Sequence, residues 1–318
     1  MSRKLSKMIL KRIFQSIIVI LIVTFFVFFL MQLVPGNAIT NFLGPNATEE
    51  QIAYYTKLFG YDQPLLIQYA KWIQGLFRGE MGRSVALQME ISDILFDRLR
   101  ITLSIVLPAF AISVVLGVML GIVAAKHRGT AIDSIISVFA NIGMSMPMFW
   151  FGMMLIMIFS LWLGVLPTSG YTKFSDGAGE WVRHIILPMI VLSMNPLAKF
   201  TRQTRSSMLE VIRQDYVTTA KAKGISQRAT TFRHQLRNAL IPIITVMGVT
   251  LGGMIGGTVL VESIFVVPGL GNLMISSIKG RDFMVVCNGV LVISVAVAIC
   301  NLLVDILYGI IDPRIRND

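Results

Sequence analysis

Apolar residues run together along this chain in blocks far longer than a buried helix of a soluble domain requires. A helix needs about 20 apolar residues to cross a bilayer. Blocks of that order occupy residues 13–34, 101–125, 132–163, 239–261 and 284–311. A sixth block, 185–198, is shorter, holds Pro188 and Pro196, and places Asn195 at membrane depth. Proline there interrupts the backbone ladder, so this segment needs protein neighbours or water around it. The third block is interrupted in its turn by Pro147. The pattern predicts an all-α integral membrane protein with six transmembrane helices. The first block comes after the basic head Arg3, Lys4, Lys7, Lys11 and Arg12. It exceeds the roughly 7–15 apolar residues of a signal-peptide core, and no small-x-small cleavage site comes after it, so it reads as an uncleaved anchor.

Two polar stretches between the blocks are patterned. In residues 35–100, Thr48 and Gln51 have the spacing of a capping box, and Gly60 stands where a helix would stop. After Asp62 and Pro64, apolar residues recur at Leu65, Leu66, Tyr69, Ile73, Leu76 and Phe77 before Gly79. That spacing predicts a second amphipathic helix with start and stop signals. The organisation is therefore 1–34, an N-terminal head and first span; 35–100, a helical cap; and 101–318, a five-helix core with a loop at about 199–238.

Composition supports lipid as the main solvent. Hydrophobic residues make up 55% of the 318 and charged residues only 14%, against about 25% charged in ordinary soluble domains. The net charge of +11 would suggest nucleic acid in a soluble protein. Here it is concentrated instead: with six spans and an internal N-terminus, 18 of the 28 Lys and Arg fall on the inner side. Basic residues in short loops set orientation, so both termini are expected in the cytoplasm, and no nucleic-acid partner is called for. Cys287 and Cys300 lie in one apolar run, which indicates neither a disulfide nor a metal site.

The inner stretch 199–238 is the most informative. Met208, Ile212, Tyr216 and Ala220 are spaced by four and make one helical stripe. Gly224 is a helix stop, and Ser226 can cap the next helical turn. Ala229, Phe232, Leu236 and Leu240 then recur at helical spacing among Arg228, Arg233 and Arg237. The pattern is a short basic amphipathic helix with Phe232 on its apolar side. Two readings stand: a surface helix on the anionic inner leaflet, or a plug whose apolar face enters a groove on a cytoplasmic partner.

The run Asp215-Tyr216-Val217-Thr218-Thr219-Ala220-Lys221-Ala222-Lys223-Gly224, then His234-Gln235-Leu236-Arg237-Asn238-Ala239-Leu240-Ile241-Pro242, resembles the cytoplasmic signature of binding-protein-dependent ABC importer permeases. More narrowly it is similar to the first-permease type of the dipeptide/oligopeptide/nickel branch. The resemblance continues in Pro35-Gly36, Gly60-Tyr61-Asp62-Gln63-Pro64-Leu65, Gly79-Glu80-Met81-Gly82-Arg83-Ser84, Pro268-Gly269-Leu270-Gly271 and Asp312-Pro313-Arg314. The chain departs from the family at Thr218-Thr219-Ala220, where Glu-Ala-Ala is usual, so a coupling scheme needing an acid at Thr218 is in doubt.

The resemblance implies a permease subunit forming half of a pathway in the cytoplasmic (inner) membrane of a bacterium or archaeon. It implies a second homologous permease, two ABC ATPase subunits carrying ATP and magnesium, and an extracytoplasmic solute-binding protein. The loop helix becomes a coupling helix docked on an ATPase. Ala220 and Gly224 are then structural, Phe232 an apolar contact, Arg228 and Arg233 partners for acids on the ATPase rim, and His234 and Asn238 local hydrogen-bonders. Peptides are the first substrate expectation; nickel or a chelated metal is the alternative, and a stand-alone secondary carrier a remoter one.

Other chemistry is missing from the sequence. There is no Gly-x-x-x-x-Gly-Lys-[Ser/Thr] phosphate loop, so this chain is expected to hold no cofactor and to be no enzyme by itself. His127, His184 and His234 lie in three separate segments and form no His-Glu-x-x-His pair. The Gly252-Gly253-x-x-Gly256-Gly257 run and the Gly117/Gly121 pair read as faces for close helix packing. Candidate pathway or gate residues are Met146 and Met148 beside Pro147, Asn195 in the fourth span and Glu262 at the outer end of the fifth. For Glu262 the alternative is an interfacial carboxylate in water.

Overall fold

A computed structural model describes residues 3–33, 39, 43–44, 47–58, 60, 62–226, 229–230 and 235–311. The elements are α1 (Arg3–Leu33), α2 (Glu49–Leu58), α3 (Leu65–Phe77), α4 (Ile91–Lys126), α5 (Ala131–Ser145), α6 (Met148–Leu155) and a π-helical run at Ile156–Trp162. They continue with α7 (Ala178–Ile212), α8 (Asp215–Ala222), α9 (Leu236–Ile264), α10 (Leu270–Lys279) and α11 (Phe283–Ile311). Among the described residues the only strand-like pairing is an isolated bridge, Arg83 to Glu90.

Among the described residues five helices, α1, α4, α7, α9 and α11, contain stretches long and apolar enough to cross a bilayer. The third block, which Pro147 interrupts, is not one rod. It is a pair, α5 and α6 with its π-helical continuation, bent by 104°. The cause is Pro147, which lacks an N–H and pushes the residue before it out of helical geometry. Met146 accordingly sits at φ −73°, ψ 125°.

The fourth block differs more. The hydropathy run 185–198 is the centre of a 35-residue helix, α7, that carries both prolines inside it. Half of its most apolar stretch is buried within the protein, the largest share among the spans. Its buried positions include Ser193, Thr201, Thr204 and Ser207. Those polar residues lower the apolar count of a helix that faces protein on much of its surface, which is why hydropathy shortened it.

The chain divides into two compact units, 12–102 with 268–296, and the remainder. In the larger, Gly117 and Gly121 of α4 let α7 approach. A Cβ at Gly121 would lie 2.5 Å from the Thr204 Cβ and 2.7 Å from the Thr201 carbonyl oxygen. Ser113 Oγ also donates to the Ser193 carbonyl at 3.0 Å. The glycine run of α9 behaves unequally. Gly248 and Gly252 face Val304 and Val297 of α11, but Cβ atoms at Gly253, Gly256 and Gly257 would meet nothing within 4 Å. Of the four glycines in the predicted run only Gly252 meets a neighbour, so within this chain neither expected small-residue face is packed along its length.

In the smaller unit the capping box is formed: Thr48 N–H donates to Gln51 Oε1 at 3.1 Å, and Gln51 N–H to Thr48 Oγ1 at 3.3 Å. Helix α3 buries Trp72 with Phe28 and Phe283; Phe28 and Phe283 meet edge to face at 4.8 Å. Each such buried aromatic contributes about 1.5–3 kcal/mol. Asn288, a polar residue inside an apolar run, is satisfied there. Its Nδ2 donates to the Met81 and Met284 carbonyls and its Oδ1 accepts from Trp72 Nε1. Asp282 Oδ2 accepts from Ser84 Oγ and from the Ala86 N–H, fastening the turn before α11 to the segment after α3.

Candidate functional site

The loop singled out by the sequence lies in the larger unit and begins where α7 ends at Ile212. The predicted stripe Met208, Ile212, Tyr216, Ala220 does not run through. Helix α7 stops at a cap on Arg213 and α8 begins afresh at Asp215, so the four-residue spacing is broken. Met208 is fully buried, Val217 takes the buried place in α8, and Tyr216 is exposed. Gly224 comes next at φ +75°, the left-handed region where a side chain is strained and glycine is not. Ser226 then turns the chain: its Oγ accepts from the Ala229 N–H and its carbonyl from the Thr230 N–H.

The two sides of the loop are tied together. Asn238 Nδ2 at the start of α9 donates to the Tyr216 hydroxyl in α8 at 2.9 Å, across 22 residues. Arg228, Phe232, Arg233 and His234 lie outside the described residues. For Ala220 the structure gives its backbone in α8.

Beneath the loop is a packed junction. Ile122 and Ala125 of α4, Met208 of α7 and Ala239 of α9 form one buried cluster, with Leu209, Ile212 and Leu236 against it. Beside it, Arg205 grips Asp133 in a bidentate pair, Nε to Oδ1 at 2.6 Å and the terminal nitrogen to Oδ2 at 2.8 Å. Asp133 is 5% exposed. Its Oδ2 also accepts from the Gly129 N–H. Paired, bidentate charges of this kind fix geometry as well as position. Sequence reasoning missed the pair: Asp133 and Arg205 are 72 residues apart, and the available signal was an acid close behind the basic Lys126 and Arg128.

The pathway candidates belong to the same unit. Met146 and Met148 flank Pro147 at the 104° bend, both half-buried. Asn195 Nδ2 reaches the Met144 carbonyl at 3.4 Å, linking α7 to the last turn of α5. Glu262 is 0% exposed in α9, which overturns the reading of it as a carboxylate in interfacial water. Its main-chain carbonyl accepts from the Val267 N–H at 2.8 Å, while the Phe265 carbonyl accepts from Gly170. Among the described residues no group of three or more His, Cys, Asp or Glu could hold a metal ion.

The chain is 40% identical to the di/tripeptide transport system permease protein DppB of Pseudomonas aeruginosa over 93% of this chain and 94% of that protein. It is 36% identical to the oligopeptide transport system permease protein AppB of Bacillus subtilis, over 97% and 98% respectively. A solved structure of the MetNI methionine ABC transporter in inward-facing form shares the fold, with a TM-score of 0.57 at 17% identity, covering 69% of this chain and 96% of that one. The N-terminal family of such membrane components matches residues 5–106. With residues 117–317 matching the binding-protein-dependent transport system inner membrane component, this chain belongs to that family of multi-pass ABC importer permeases.

Proposed function

We propose that this chain is one of two permease subunits of an ATP-driven importer for di- and oligopeptides. The observation carrying this reading is identity of 36–40% along nearly the whole chain to permeases named for peptides. Those names favour peptides over nickel, and family membership disfavours a stand-alone carrier. The companion permease, two ATPase subunits holding ATP and magnesium, and an extracytoplasmic binding protein complete the assembly. The basic asymmetry of the loops supports cytoplasmic termini.

In this reading the segment from α8 to α9 is the coupling element. Gly224 makes its turn, Arg228, Phe232 and Arg233 meet the ATPase, and His234 and Asn238 hold it in shape. Ala220 serves as a structural position of α8. The junction of α4, α7 and α9 lets a push on the loop move spans as bodies, a change of the rigid-body kind. Met146, Met148, Asn195 and Glu262 line or gate the pathway around the bend. Import then arises because the two access states differ in affinity for the delivered peptide.

The test is reconstitution of the assembly in proteoliposomes with its binding protein outside and ATP inside. Uptake of a labelled dipeptide, with no uptake of nickel ion, is the expected outcome. Nickel uptake without peptide uptake would overturn the substrate assignment.

A further inference from the structure

Helix α3 of the smaller unit carries more apolar surface than its packing uses. Leu65, Tyr69, Trp72 and Leu76, at helical spacing, make the side that packs around Phe28, Phe283 and Cys287. Leu66, Ala70, Ile73 and Phe77 make a second apolar stripe beside the first. Ile73 is shared with the packed side, but Leu66 is 67% exposed, Phe77 89% exposed, and Ala70 is exposed between them. Lys71, Gln74 and Arg78 form the remaining edge, polar and exposed.

What covers the second stripe follows from where α3 is held. Gln32 Nε2 of α1 donates to Gln68 Oε1 at 3.1 Å. The Tyr69 hydroxyl donates to the Leu21 carbonyl at 3.1 Å and lies 3.0 Å from Thr24 Oγ1. Trp72 Nε1 donates to Asn288 of α11. Helix α3 thus bridges the C-terminal half of one span and the first turns of another. At 1.5 Å per residue, Leu21 is about 18 Å before the end of α1, so even with the reach of a tyrosine α3 is held within the depth of the span. At that level α1 itself exposes Phe26, Phe29, Leu30 and Leu33, the side of a spanning helix that meets lipid. A helix with an apolar stripe and a basic edge at this depth has the make-up of one lying in a bilayer interface. Lys and Arg there keep their stems in apolar surroundings and their charges at the headgroups.

We propose that α3 is an interfacial helix bound to phospholipid. It lies at the headgroup–acyl boundary of the leaflet around the C-terminal end of α1. Leu66 and Phe77 enter the acyl layer, and Lys71 and Arg78 turn to lipid phosphates. The bilayer thereby completes the packing of α3 and holds the cap against α1 and α11.

The experiment uses the full transporter complex in nanodiscs of phosphatidylethanolamine and phosphatidylglycerol. The photoreactive variants Phe77→p-benzoylphenylalanine and Lys71→p-benzoylphenylalanine are irradiated, and their adducts are identified by mass spectrometry. Phospholipid acyl chains are expected on the Phe77 variant at least about tenfold more often than on the Lys71 variant, as an oriented helix requires. Adducts of the Phe77 variant with the companion permease or the solute-binding protein would overturn the proposal in favour of a protein interface. Equal lipid labelling at both positions, or no adduct at Phe77, would also overturn it. Hydroxyl-radical footprinting of the wild-type complex in the same nanodiscs needs no substitution. Phe77 is expected to be oxidised no faster than buried Phe28, despite its exposure in the chain. Markedly faster oxidation at Phe77 would mean that water covers the ring, and would overturn the proposal.

Discussion

Arg205 and Asp133 share two hydrogen bonds, at 2.6 and 2.8 Å, and so lock the helix that enters the loop to the helix that precedes the bend. Asp133 is nearly inaccessible, while the Arg205 side chain is about one-third exposed. Removing one partner leaves a buried charge, which costs about 3–5 kcal/mol, whereas replacing both with apolar residues of similar size is often neutral. Arg205→Ala is therefore expected to lower the thermal stability of the purified complex markedly. The double variant Asp133→Leu, Arg205→Met is expected to recover most of it. If transport in the stable double variant also falls, the pair positions the loop as well as stabilising it; stability equal to wild type in Arg205→Ala would count against the geometry.

Close approach of α4 and α7 predicts a second asymmetry. Gly121→Ala places a methyl 2.5 Å from the Thr204 Cβ, so the helices must separate. Overpacking of this sort costs about 1–3 kcal/mol. Gly253→Ala, whose methyl meets nothing within 4 Å of this chain, is expected to leave the subunit's stability unchanged. Thermal unfolding of the two variants in detergent is the check, and equal midpoints would refute the packing argument.

Within the loop, the Asn238–Tyr216 hydrogen bond makes a narrower prediction. Tyr216→Phe removes the acceptor without changing the ring, a loss of about 0.5–1.5 kcal/mol. Membrane insertion is expected to be normal. ATP hydrolysis by the complex is expected to continue while peptide uptake per ATP falls, because the loop closes less firmly. Unchanged uptake per ATP would leave the bond a merely local one.

Much of this arrangement was legible in the chain. Gly224 and Ser226 advertise a stop and a restart, and both act as their chemistry requires, through a positive φ and a capping oxygen. Thr48 and Gln51 likewise announced their own capping box. Such features are local, and the residues that make them are a few positions apart. The hidden features are non-local. The true extent of α7 was masked because buried polar positions such as Ser193, Thr201 and Thr204 lie against α4, where close packing at Gly121 and the Ser113 bond to the Ser193 carbonyl replace hydropathy. The reach of 268–296 to pair with 12–102 has no sequence marker. Nor has the meeting of Asp133 with Arg205, which depends on how two helices are laid side by side.

The claim that the loop transmits force to a separate ATPase is tested most directly by affinity purification in mild detergent, comparing wild type with Gly224→Asp. A residue with a side chain at φ +75° is strained by about 1–2 kcal/mol, and the added carboxylate opposes docking. Wild type is predicted to bring ATPase subunits with it, and the variant, inserted at normal level, to lose them and its peptide uptake. Wild-type protein that emerges alone, or a variant that keeps both its ATPases and full uptake, would contradict the account.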